Sequence, residues 1–295
     1  MVVFAGFDEF DLATSQTTIH GVRGGAGPPV LLLHGIPETH LMWHRIAPAL
    51  AERFTVVATD LRGYGASGKP PSAPDHEPYR MRVMAIDQVE VMAALGFERF
   101  AVVGHDRGAR CAYRMALDHP AVVHRLAVLD IVPTGEAYAR ADRNFSLGYW
   151  VWSFLAAAAP VPETLIGAAP RVLVEHMLDS WSDRSDAFPA HLREAYVAPF
   201  TDPATVHAIC EEYRAAATLD VADDEADRRA DRTISCPTLV LWSATGAVAQ
   251  WYDDPIGIWR AWADDVRGAA IAAGHFLPEE APADTLGHLL PFLDD

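Results

Sequence analysis

An apolar run, Phe100-Ala101-Val102-Val103, passes directly into Gly104-His105-Asp106-Arg107-Gly108 and then into a stretch of helical spacing that ends at Pro120. A strand, a turn with glycine on both sides of one polar residue, and a helix are what a nucleophile elbow requires. The turn is so sharp that a side chain at Gly104 or Gly108 would crowd it. The central residue then points into a cleft at a helix N-terminus, whose partial positive charge favours an anion. Here that residue is Asp106 rather than serine, and no G-x-S-x-G exists in the chain. A carboxylate is already ionised at pH 7 and attacks carbon directly to form an ester.

The elbow sits within an alternating pattern. Val30–Leu33, Phe54–Thr59, Phe100–Val103, Leu126–Leu129 and Thr238–Trp242 are short apolar runs that read as buried strands, and Ala269–Ala272 reads as a shorter one. Trp43–Phe54, Met81–Leu95, Gly108–His119 and Ile258–Val266 carry helical spacing. Such alternation predicts right-handed crossovers and a mostly parallel sheet. From about Thr134 to Arg232 the pattern changes to helical stretches with no buried-strand run. We therefore expect a core domain of residues 1–133 and 233–295, interrupted by a helical cap over 134–232 that lies as a lid on the carboxyl edge of the sheet.

The order of catalytic parts on such a fold is nucleophile, acid, histidine. Asp130 directly follows the strand Leu126–Leu129, and His275 follows Gly274 after the last short strand. After Trp242, Ser243-Ala244-Thr245-Gly246 offers no rival carboxylate, so Asp130 is the expected triad acid. His34-Gly35-Ile36-Pro37 follows the first buried strand, and the backbone N–H groups of Ile36 and Arg107 are expected to form an oxyanion hole. Arg107 and Arg110 stand one and four residues after Asp106, so both lie over the same helix start. Two guanidiniums beside a nucleophilic carboxylate suit a substrate with a carboxylate of its own. The competing reading is that they only pair with Asp106 or a neighbouring acid.

In order, these parts resemble the α/β-hydrolase superfamily. Within it, His34–His40, Met42–Arg45, Asp60–Gly65, Gly104–Arg110, Trp152–Leu155, Cys210–Arg214 and Gly274–Glu280 resemble the haloacetate (fluoroacetate) dehalogenases, from about Gly24 to the C-terminus. Asp106-Arg107-Gly108-Ala109-Arg110 is the most specific piece, because epoxide hydrolases and haloalkane dehalogenases usually follow the same aspartate with tryptophan. The resemblance implies an α/β-hydrolase fold, turnover of a small haloacid to glycolate and halide, no cofactor, no metal and a homodimer. It implies a halide pocket made by a lid His, Trp and Tyr. Trp152 and Tyr213 match the last two, whereas Val151 stands at the histidine position and Ile36 where phenylalanine is common. Val151 and Trp181 are expected to wall the pocket. Without the histidine donor, preference should lean away from fluoride, the leaving group that depends most on hydrogen bonds.

Composition narrows the alternatives. Forty acidic against 23 basic residues give a net charge of −17, which disfavours nucleic acid and anionic lipid as partners. No 18-residue apolar run exists, and the N-terminus lacks the basic start of a secretory signal. The three cysteines, Cys111, Cys210 and Cys236, fit neither a zinc spacing nor a disulfide framework, in keeping with the cytoplasm. Gly63-Tyr64-Gly65-Ala66-Ser67-Gly68 spells a dinucleotide fingerprint, but Pro70-Pro71 deny it the helix it needs, so it reads as a loop at the cleft rim. The acidic cluster from Asp220 to Asp227 lacks calcium-loop spacing and reads as a solvated helix face. Two rivals remain. An epoxide hydrolase would use the same triad with Tyr149 and Tyr213 as proton donors, and a non-catalytic binding protein would not need the triad.

Overall fold

A computed structural model describes residues 4–184 and 186–295. Eight strands form one sheet: β1 (Phe7–Ala13), β2 (Thr18–Gly24), β3 (Pro29–Leu33), β4 (Thr55–Thr59), β5 (Phe100–His105), β6 (Val123–Leu129), β7 (Thr238–Ser243) and β8 (Val266–Ile271). Their spatial order is β1-β2-β4-β3-β5-β6-β7-β8. β1 and β2 pair antiparallel, β2 joins β4 antiparallel, and the pairs from β4 to β8 are parallel. Val30–Leu33 and all of β4 and β5 are buried. Strands covered on both faces read as continuous apolar runs for this reason.

Each face of the sheet packs its own core. Helices Met81–Ala94 and Arg107–Asp118 close one face through Met84, Met92, Ala112 and Met115. The 3₁₀ turn His40–Arg45 and helix Pro282–Asp294 close the other through Met42, Trp43, Leu289 and Phe292. The three cysteines are buried and unpaired. Among the described residues no helix is long and apolar enough to cross a membrane.

Between β6 and β7 the chain leaves the sheet for a succession of helices, from Thr134–Ala139 to Val221–Arg229, and these make up the cap. The acidic cluster corrects our expectation of a solvated face. Asp220, Asp223, Asp224 and Asp227 are all buried. Asp224 and Asp227 accept from the Arg114 guanidinium at 2.8 and 2.5 Å, Tyr113 donates to Asp224 at 2.8 Å, and Asp220 accepts the Met81 N–H at 2.9 Å. The carboxylates thus pin the end of the insertion to the elbow helix and to the start of the helix Met81–Ala94. Removing one partner of such a buried pair costs about 3–5 kcal/mol, because the other charge is left uncompensated.

Candidate active site

Asp106 lies between β5 and helix Arg107–Asp118 with φ +44° and ψ −113°, a conformation L-residues rarely adopt. The two glycines allow it. A Cβ at Gly104 would come within 2.5 Å of the Ala109 Cα, and one at Gly108 within 2.2 Å of the Leu33 carbonyl oxygen. The Asp106 carboxylate accepts the Ile36 N–H at 3.1 Å, so the loop after β3 reaches the elbow. Arg107 is the first residue of the helix, and the ladder provides no partner for an N–H there.

His275 and Asp130 meet through Nδ1 and Oδ2 at 2.6 Å. Asp130 caps β6, and its Oδ1 accepts the Ser243 N–H at 2.9 Å, which fixes the face it shows to the imidazole. The His275 backbone N–H donates to the Trp181 carbonyl at 2.8 Å, and the Trp181 ring meets the imidazole edge-on at 5.5 Å. On the far side, the His105 Nε2 contacts the His275 carbonyl at 2.9 Å. Burial opposes the charged imidazole of His275, but the Asp130 hydrogen bond and the charges of Asp130 and Asp106 outweigh it and raise its pKa. Burial likewise opposes the Asp106 carboxylate, but His275, Arg107 and Arg110 outweigh it and hold this carboxyl below its ordinary value.

A cavity of about 280 Å³ opens over these groups. Asp106, Asp130 and His275 line it together with Tyr149, Trp152, Trp181 and Tyr213 from the cap. Tyr149 stacks on Trp152 at 5.6 Å, and Trp152 meets Tyr213 edge-on at 6.3 Å. Of the two expected pocket walls, Trp181 lines the cavity and Val151 does not. Val151 is fully buried in the cap core, and Tyr149 and Trp152 on either side of it form that wall.

Arg107 and Arg110 lie beneath the lid aromatics. The Arg107 guanidinium is 4.3 Å from the Tyr213 ring centroid, and that of Arg110 is 4.5 Å from the Trp152 centroid. Arg110 donates to the Val132 carbonyl at 3.1 Å and the Thr134 hydroxyl at 3.0 Å, both neutral. Arg107 donates through Nε to Glu212 at 2.8 Å, so the competing salt-bridge reading holds for one edge of one arginine. Both Arg107 Nη atoms are buried without a partner, as is Arg110 Nε. A buried donor left unpaired costs about 1–3 kcal/mol, more when charged, and calls for an explanation.

The sequence reading gave no role to Glu212, which stands beside Tyr213 in the helix Pro203–Ala215. Among the described residues, His20, His40 and Asp60 offer metal-ligand atoms within 4.8 Å of one another. Their contacts are already made: His20 Nδ1 meets Asp11 at 3.0 Å, and His40 Nδ1 meets Asp60 at 2.8 Å. Asp60 also accepts the Ala66 and His40 N–H groups, so each of the three side chains already has a hydrogen-bond partner.

Residues 28–282 match the profile of the alpha/beta hydrolase fold family. A fluoroacetate dehalogenase from Burkholderia sp. is 44% identical over 99% of this chain and 96% of its own. A soluble epoxide hydrolase from Corynebacterium sp. (strain C12) is 31% identical over 93% of each. A provisionally named alpha/beta hydrolase from Nostoc sp. PCC 7120 superposes with a TM-score of 0.95 at 50% identity, over 97% of this chain and 98% of that one. The sheet order, the elbow and these end-to-end matches agree, and this chain is a hydrolase of the α/β-hydrolase fold family.

Proposed function

We propose that the chain hydrolyses haloacetates to glycolate and halide through an ester on Asp106. Arg107 and Arg110 hold the substrate carboxylate, which reaches them when the Tyr213 and Trp152 rings give way. An Asp106 oxygen attacks the α-carbon, the carbon–halogen pair leaves as halide, and the Trp152 N–H and Tyr213 O–H receive it. His275, oriented by Asp130, takes a proton from a water that attacks the ester carbonyl. The developing oxyanion is met by the N–H groups of Ile36 and Arg107. Collapse returns Asp106 as a carboxylate and releases glycolate. His275 then returns its proton to solvent.

The observation that carries this reading is the partnerless Nη pair of Arg107 next to Asp106. A bidentate carboxylate would satisfy both donors. The fluoroacetate dehalogenase relative supports the same chemistry. Epoxide opening is favoured by a different observation, the placement of Tyr149 and Tyr213 on the cavity wall, but it leaves the arginine donors unsatisfied. Incubation with chloroacetate, 1-chlorobutane and styrene oxide separates them. We expect halide and glycolate from chloroacetate and little from the other two. Diol from styrene oxide without halide from chloroacetate would replace this function with epoxide hydrolysis, and comparable rates on 1-chlorobutane would remove the role of the arginines.

A further inference from the structure

Glu212 is fully buried, and its two oxygens go to different partners. Oε1 accepts from Arg107 Nε at 2.8 Å, and Oε2 accepts from the Tyr64 hydroxyl at 2.5 Å. Tyr64 belongs to the Gly63–Gly68 loop, the stretch whose dinucleotide spelling is followed by Pro70-Pro71 in place of a helix. It is itself buried, with its ring against His34 at 5.1 Å. His34 accepts the Leu61 N–H through Nε2 at 3.0 Å, so the loop that carries Tyr64 is tied to the carboxyl end of β3. Burial pushes the His34 pKa down to about 4, which keeps that ring nitrogen free to accept.

A carboxylate and a guanidinium normally close a two-bond fork. Here the tyrosine hydroxyl takes the second carboxylate oxygen, so Glu212 holds Arg107 by one bond at Nε. The Nη1–Nη2 edge of the guanidinium is left buried and unpartnered. Without the Tyr64 hydroxyl, Oε2 would be free to swing onto the adjacent Nη and consume it. Without Glu212, the guanidinium would be free to turn onto Asp106, one residue away, and quench the nucleophile.

We propose that Tyr64 and Glu212 form a positioning pair that holds Arg107 by its Nε and reserves its Nη edge for the substrate carboxylate. The proposal rests on the haloacetate reading above and extends it to two residues that touch neither substrate nor the reacting atoms.

The test compares Tyr64→Phe, Glu212→Gln, Glu212→Ala and the double variant Tyr64→Phe/Glu212→Gln. The readouts are the inhibition constant of acetate, and KM and kcat for chloroacetate. Tyr64→Phe should raise the acetate constant and KM about 10–150-fold, the worth of one charge-assisted hydrogen bond, while kcat changes far less. Glu212→Gln keeps an acceptor for Nε and offers the second position a donor, which cannot bind Nη. It should stay within about threefold of native and should rescue the Tyr64→Phe defect in the double variant. Glu212→Ala should lose both affinity and kcat. If that variant does not fold, the other three carry the test. Unchanged acetate affinity in Tyr64→Phe, or a defect that persists in the double variant, would overturn the positioning pair alone. A native protein that neither binds acetate nor turns over chloroacetate would overturn the haloacetate reading and this pair with it.

Discussion

Replacing Asp130 by asparagine should separate the two halves of the reaction. Asp130 uses both carboxylate oxygens, Oδ1 as acceptor for the Ser243 N–H at 2.9 Å and Oδ2 against His275 Nδ1 at 2.6 Å. An asparagine must keep its carbonyl oxygen toward Ser243, since an NH₂ there would oppose a backbone donor. Its NH₂ is then forced toward His275 and turns Nδ1 into an acceptor. The ring proton moves to Nε2, and the nitrogen that should take a proton from water no longer can. A wrong tautomer in a serine-protease triad costs about 10⁴ in turnover, or about 5 kcal/mol of barrier. The penalty should fall on ester hydrolysis alone, because attack by Asp106 needs no base. Mixed rapidly with excess chloroacetate, Asp130→Asn should release about one halide per active site and then nearly stop, and its intact mass should rise by one carboxymethyl group. Absence of both burst and adduct, with turnover lost, would mean that His275 and Asp130 act before the carbon–halogen bond breaks. Turnover close to native would remove Asp130 from the mechanism.

Three further outcomes follow from the same geometry. The His275 pKa is raised and the base must be neutral for ester hydrolysis, so kcat should fall as pH drops through a value above the ordinary histidine value, measured as the acid limb of a kcat–pH profile at saturating chloroacetate; a limb at or below about 6.5 would contradict this. Burial raises the pKa of both the Glu38 and the Glu279 carboxyl above the ordinary carboxyl range, and the neighbouring Glu38 raises that of Glu279 further. The unfolded chain therefore loses these protons first, stability should decline as pH rises from that range, and Glu38→Gln should flatten the decline of Tm with pH. Val151→His adds a ring donor one residue from Trp152, at a position buried in the cap core; a donor delivered to the halide should raise the fluoroacetate-to-chloroacetate turnover ratio by up to about 10²–10³, at an overpacking cost of about 1–3 kcal/mol in stability. An unchanged ratio would make Val151 packing alone.

The legibility of the sequence followed burial. β3 to β7 read clearly because strands covered on both faces have little room for polar residues, and their apolar runs coincide with the observed spans to within a few residues. β1 and β2 gave no such signal. They pair antiparallel at one end of the sheet, β1 has no buried residue, and its acids interrupt the run. β8 begins three residues before the apolar stretch that marked it, because only Ile271 of that strand is buried. The helix expected over Trp43–Phe54 is divided into a 3₁₀ turn, His40–Arg45, and a short helix, Ala47–Ala51. Asp106, Asp130 and His275 were legible because each stands at a strand's carboxyl end, where order along the chain maps onto place in the fold. Glu212 was not, since its partners lie 105 and 148 residues away and nothing local marks the contact. The acids of the Asp220–Asp227 cluster misled for the same reason, with Arg114 supplied by a distant helix.

The central claim is that the oxygen of glycolate comes first from Asp106 and only later from water. A single turnover with enzyme in excess over chloroacetate, run in water enriched in oxygen-18, tests it most directly. Attack of labelled water on the ester carbonyl leaves the label in the carboxylate of Asp106. We predict first-turnover glycolate with an unlabelled hydroxyl and a peptide containing Asp106 that is heavier by one oxygen-18. Labelled glycolate with an unlabelled Asp106 would mean that water displaces the halide directly, and would contradict the covalent mechanism.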